Sequence, residues 1–266
     1  MLELSLLRVL LLVSMAIAPL GTHRAFLPRY RPAVHIGALA CVEIGLFTPA
    51  SWLTVAWLLY TAASALLFLR ARLRSLFSLE TVAAGVPFLF SNVGALWIVG
   101  GSNDLHILGY GPDFSYYAAL HGTVLGWIMM GCLAILAERD RPRRGVYIAA
   151  VFISLVSFLL IAFGIDQLRT LKQYGVIGIS IAVPGAQLAF LYAAWQRNRR
   201  AFALGCISFA GLVFTMVLAW RNERFMPMPV VEGIRGMISI HGVLNALVIA
   251  PCFLAAVSIF ARDADR

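Results

Sequence analysis

The constraint that dominates this sequence is a recurrence of apolar runs about 20 residues long, with clusters of arginines in alternate gaps between them. A helix needs about 20 predominantly apolar residues to cross the ~30 Å hydrocarbon core of a bilayer. Such runs occupy about 4–20, 33–48, 51–69, 80–100, 116–137, 146–164, 174–195, 202–220 and 237–261. Hydrophobic residues make up 61% of the chain and charged residues 12%, against about 25% charged in soluble domains. Too few polar side chains remain to cover a water-facing surface. A membrane β-barrel would alternate apolar and polar residues, and runs such as Val146–Gly164 do not. The expected fold is therefore all-α: a polytopic transmembrane helical bundle of about nine spans, forming a single integral membrane domain over residues 1–266.

Two spans need comment. Residues 1–20 have the length of a signal peptide, but Glu3 precedes Arg8 where a basic n-region would stand, and no small-x-small cleavage site follows. They are counted as the first span. The second span is short and is joined to the third by Thr48-Pro49-Ala50, a tight hairpin.

The formal net charge is +9, and its placement sets an orientation. Clusters at Arg24/Arg29/Arg31, Arg70/Arg72/Arg74, Arg139/Arg141/Arg143/Arg144 and Arg197/Arg199/Arg200 fall in alternate loops. With the C-terminal tail, one side holds fifteen Lys/Arg and the other five. The positive-inside rule then predicts the N-terminus outside and the C-terminus cytoplasmic, in a cell membrane and most naturally a bacterial inner membrane. The basic charge is accounted for by topology and anionic headgroups, so no nucleic-acid partner is expected. Cys41, Cys132, Cys206 and Cys252 fall inside spans without CxxC pairing and read as small core residues.

Ionisable groups within lipid are costly and mark candidate sites. On the predicted topology Glu43 lies about five residues, ~7 Å, below the outer edge of the second span. His121 near the start of the fifth and His241 near the start of the ninth share that depth. Asn245, one turn below His241, shares its helix face. The Gly-rich segment from Gly100 to Asp113 carries Asp104, His106 and Asp113 and is able to fold back into the bundle mouth. Asn92 and Trp97 precede it; Asp166 and Glu232 mark other outward ends. His23 and His35, near the inward arginines, are read as structural.

Both histidines open a short motif: HGTVLGWIMMG from His121 and HGVLNA from His241. Glycine after each histidine thins the helix for a close neighbour or ligand. On HGVLNA, and on the histidine-bearing segment between the fourth and fifth spans, the chain resembles the YndJ-like family of bacterial multi-pass membrane proteins. Family members have two closely spaced histidines around an aromatic in that middle segment, where this chain has Asp104-Leu-His106. The resemblance therefore transfers to His241, Gly242, Asn245 and Ala246, and implies a membrane fold without implying a reaction. HGTVLGWIMMG is also similar to the histidine-plus-small-residue helices of NnrS-type haem and copper membrane proteins.

Three functions compete. The first is a cofactor-independent enzyme acting on a lipophilic small molecule by isomerisation, cyclisation or hydration. Its site would combine the carboxylates Glu43 and Asp113 with the histidines His121 and His241, Glu43 serving as general acid, His241 taking a proton back, and Asn245 acting as an orienting amide. The second is a redox or sensing protein holding haem or a transition metal on His121, His241 and His106. The third is a small-solute transporter. An oligomeric state is not legible.

Overall fold

A computed structural model describes residues 2–165, 168–224, 228–231 and 233–264. Among these, nine helical segments follow one another: α1 (Leu2–Phe26), α2 (Pro32–Phe47), α3 (Ser51–Ala71, opening with a 3₁₀ turn), α4 (Leu79–Ser102), α5 (Pro112–Arg139), α6 (Arg144–Gly164), α7 (Arg169–Arg197), α8 (Arg199–Arg224) and α9 (Met237–Asp263). Each coincides with a predicted span. Eight are long and apolar enough to cross a membrane; α2 is the short one. A two-residue antiparallel pairing, Val230–Val231 with Ile234–Arg235, precedes α9.

Helix α5 is the centre of the bundle. From Gly122 to Ala137 every residue but Leu125 is buried, because α1, α4, α6 and α9 pack around it. Two glycines permit the approach of α4. A Cβ on Gly122 would lie 3.5 Å from the Cα of Gly94, and one on Gly126 would overlap the Phe90 ring. Small residues at a crossing let backbones meet, and dispersion packing then holds helices together where lipid removes the hydrophobic drive. The glycine after His241 does not serve this way, since a Cβ on Gly242 would meet only ordinary contacts. The α2–α3 hairpin lies on the α1 and α4 side of the centre, and α7 pairs along α6 on the other.

The outer faces are apolar. Ile153, Val156, Leu159 and Phe163 of α6 are exposed at helical spacing, as are Ile181, Leu188, Tyr192 and Trp195 of α7. A soluble monomer does not present so large an apolar surface, whereas a bilayer solvates it. Polar atoms turn inward in pairs: Trp127 Nε1 donates to Thr22 Oγ1 at 2.8 Å, and Gln187 Nε2 donates to Ser208 Oγ.

The arginine clusters gather at one end of the bundle, where they also tie helices together. Arg72 bonds Glu138 at 2.9 Å, Arg144 bonds Glu80 at 2.8 Å, and Arg143 reaches the fully buried Asp140, which also accepts from the Tyr147 hydroxyl. At the other end Glu3 accepts from the Arg235 backbone and guanidinium and from the Tyr117 hydroxyl. That network clamps the start of α1 to α5 and to the turn before α9.

Candidate functional site

Each of the two HG motifs begins or ends a stretch of π-helix. Gly122–Met129, immediately after His121, is π-helical, as are Met237–Gly242, which contains His241, and Asn245–Ile249 just beyond it. A π turn widens the helix and shifts the i→i+4 bonding register, and such turns concentrate at functional sites. The apolar, glycine-containing sequence around each histidine carried no explicit sign of them.

The three widened stretches, one on α5 and two on α9, contribute to the lining of one cavity of about 150 Å³. His121, His241, Gly242 and Asn245 line it, with an apolar wall from α6, α7 and α8 that includes Ile161, Ile179, Leu212 and Met216. His241 is half-buried, while His121 is exposed at the bundle surface. The cavity thus reaches the bundle surface at His121.

Hydrogen bonding defines the chemistry of both rings. His121 Nδ1 lies 2.9 Å from the Tyr117 carbonyl oxygen, and His241 Nδ1 lies 3.1 Å from that of Thr215. A carbonyl only accepts, so each Nδ1 carries the proton. In the neutral form each Nε2 is therefore the basic nitrogen, free to accept a proton or to bind a metal. Asn245 Nδ2 donates to the His241 carbonyl at 2.7 Å. The amide ties down the π-helical backbone and does not bond the imidazole.

The carboxylates of the sequence reading lie elsewhere. Glu43 is exposed on α2 and does not line this cavity. The buried face of α2 is set by His35, Ala38, Val42 and Leu46, and Glu43, a step of ~100° past Val42, turns away from it. Moreover α2 packs on α1 and α3, on the far side of α5 from the cavity. Equal depth did not mean proximity. Asp113 is exposed in the first turn of α5, where a carboxylate complements the positive end of the helix. His106 pairs with Asp104 at 2.7 Å on the exposed α4–α5 connection, so that segment lies outside the cavity. Its Asp104, His106 and Leu108 adopt left-handed backbone angles alongside Gly109. Asn92 bonds Thr61 and the Phe88 carbonyl, joining α3 to α4, and Trp97 packs on Tyr110 and Phe114. Asp166 and Glu232 lie outside the described residues. No cluster of three or more His, Cys, Asp or Glu able to hold a metal occurs among the described residues, and the four cysteines are free.

A second polar cluster was not foreseen. His23 and His35, each assigned a separate structural role from sequence, meet around Tyr60. His23 Nδ1 bonds the Tyr60 hydroxyl at 2.8 Å, and the His35 ring stacks 5.8 Å from that of Tyr60. His35 Nε2 donates to the Met15 carbonyl at 3.2 Å, so its Nδ1 accepts from the Tyr30 hydroxyl at 2.8 Å. His23 is fully buried, and its Nε2 has no hydrogen-bond partner among the described residues. Three helices and a loop contribute to this cluster, and no local spacing announces it.

Comparison with known proteins agrees with the architecture. The YndJ-like protein family profile matches residues 3–249, which include the HGVLNA motif. The uncharacterized membrane protein YndJ of Bacillus subtilis (strain 168) is 26% identical over 219 residues, 79% of this chain and 39% of the relative. The chain thus spans about two-fifths of the length of the curated relative it matches. No solved structure matches. On a profile match over nearly its whole described length and a bundle of nine apolar helices, the chain belongs to the YndJ-like family of multi-pass membrane proteins.

Proposed function

We propose that the chain is a membrane-embedded enzyme moving protons on a lipophilic substrate at the His121–His241 cavity. One observation carries this reading: two imidazoles, His121 at the start of a widened helical stretch and His241 within one, line the same apolar cavity, each with Nδ1 tied to a main-chain carbonyl. A neutral Nε2 on one ring takes a proton from the substrate, and the other ring, once protonated, returns one. Isomerisation is the simplest outcome of such a pair, and it needs no cofactor. At about 150 Å³ the cavity is smaller than the ~300–1,000 Å³ usual for whole ligands. It suits the reacting end of a molecule whose remainder stays in lipid. Neither Glu43 nor Asp113 has a role in this scheme.

The same pair of basic nitrogens favours a second reading, axial ligation of haem or a transition metal. The experiment separates the two. Membranes carrying the wild-type chain, His121→Ala or His241→Ala are compared by untargeted lipid analysis, and the purified proteins by absorption and elemental analysis. A lipid product formed by wild type and lost in both variants supports proton-transfer catalysis. A Soret band or stoichiometric metal lost in both variants replaces it with ligation. Identical lipid profiles and no bound group in any of the three proteins overturn both.

A further inference from the structure

The His23–Tyr60 cluster forms the wall of a larger cavity, about 720 Å³, between α1, α2 and α3. This site is separate from the His121–His241 cavity and shares no lining residue with it. Its polar lining is His23, Tyr30, Tyr60 and Ser64 with Arg29 and Arg31; the rest is apolar apart from Cys41, and no acidic residue is among it. The lining follows α2 from Arg31 to Cys41, ten residues or about 15 Å of helix. That is half of the ~30 Å hydrocarbon core, the depth of one leaflet.

The position of the arginines is the informative part. The α1–α2 connection lies beside Ala63, Ser64 and Leu67 in the cavity lining, whereas α3 continues to Ala71. Arg29 and Arg31 thus share a cavity lining with Leu67, which lies about one helical turn before the end of α3. The helix that follows them, α2, is short: its 16 residues cover about 24 Å. The loop is also held. Tyr30 donates to His35, which is anchored on Met15, and Arg24 stacks 5.8 Å over the Tyr30 ring. Arg29 and Arg31 are exposed at this end of the cavity, where a phosphate can accept hydrogen bonds from both guanidinium groups.

We propose that this cavity binds one anionic phospholipid of the leaflet at the arginine-rich end. Its phosphate sits between Arg29 and Arg31. One acyl chain lies along Val34, Ala38, Leu59 and Ala63, and the ester region meets Tyr60. With Arg29 and Arg31 and no carboxylate in its lining, the site has no anion to pair with an ammonium group, so it favours net-negative headgroups.

Native mass spectrometry of the detergent-purified chain tests this, using phosphatidylglycerol, phosphatidylethanolamine with the same acyl chains, and inorganic phosphate as probes. Phosphatidylglycerol is expected to be retained about tenfold more than phosphatidylethanolamine, and inorganic phosphate not at all. Gly37 lines the groove and a Cβ there would meet nothing within 4 Å, so Gly37→Leu fills it without disturbing the fold. Gly37→Leu is expected to lose retention, and the Arg29→Gln/Arg31→Gln pair to lose the preference. Equal retention of the two lipids, undiminished retention by Gly37→Leu, or binding of phosphate alone would each overturn the proposal.

Discussion

At His121 and His241 the main-chain carbonyls of Tyr117 and Thr215 decide which ring nitrogen is basic. Residue identity alone could not, since either nitrogen of a histidine can hold the proton. The same dependence on unseen partners explains why Glu43 was misplaced: depth along a helix is readable from a sequence, but azimuth needs the neighbours. Two residue-scale outcomes follow from packing. Gly126→Ala pushes a methyl into the Phe90 ring and is expected to cost about 1–3 kcal/mol. Gly145→Ala, where a Cβ meets nothing within 4 Å, is expected to be neutral or to stabilise by up to ~1 kcal/mol. Thermal melts of the two variants in one detergent compare them directly, and equal melting temperatures would refute the close crossing of α4 and α5. Asp140 offers a sharper contrast. It is fully buried against Arg143 and Tyr147, so Asp140→Ala leaves a cation and a hydroxyl without their partner and is expected to cost about 3–5 kcal/mol, read in the same melts.

Among the elements, the spans were legible because a lipid-crossing helix has a length and a composition set by the bilayer. The Thr48-Pro49-Ala50 hairpin and the shortness of α2 were legible for the same reason. The π turns were not: a glycine-rich apolar stretch is compatible with either helix type, and the choice follows from how α5 and α9 meet their neighbours. Nor was the exposed path of the α4–α5 connection visible, because glycine permits a re-entrant loop without requiring one. The ties between helices at the arginine-rich end allow a modest expectation. Arg72 and Glu138 are each about a quarter to a third exposed, so Arg72→Gln is expected to cost at most ~1 kcal/mol. A loss comparable to that of Asp140→Ala would show that this partly exposed ion pair holds the end as firmly as the buried Asp140 cluster does.

For the whole molecule, the distribution of arginine predicts an orientation that labelling can check. In a chain whose native cysteines are replaced, Leu105→Cys on the α4–α5 connection is expected to react with a membrane-impermeant maleimide from outside the cell. Phe77→Cys, at a fully exposed position in the α3–α4 connection, is expected to react only after permeabilisation. The reverse pattern would invert the bundle. The amino-acid sequence by itself determined that this chain is a helical membrane protein, where its spans run, and that His241 and its motif merit attention, since hydrocarbon thickness and the cost of burying charge act on each span separately. The tertiary structure alone decided which polar groups meet. It joined His121 to His241, sent Glu43 to the opposite side of α5, and drew His23, His35, Tyr30 and Tyr60 into a second site. Those outcomes depend on how nine helices rotate against one another, and packing between distant residues sets that rotation.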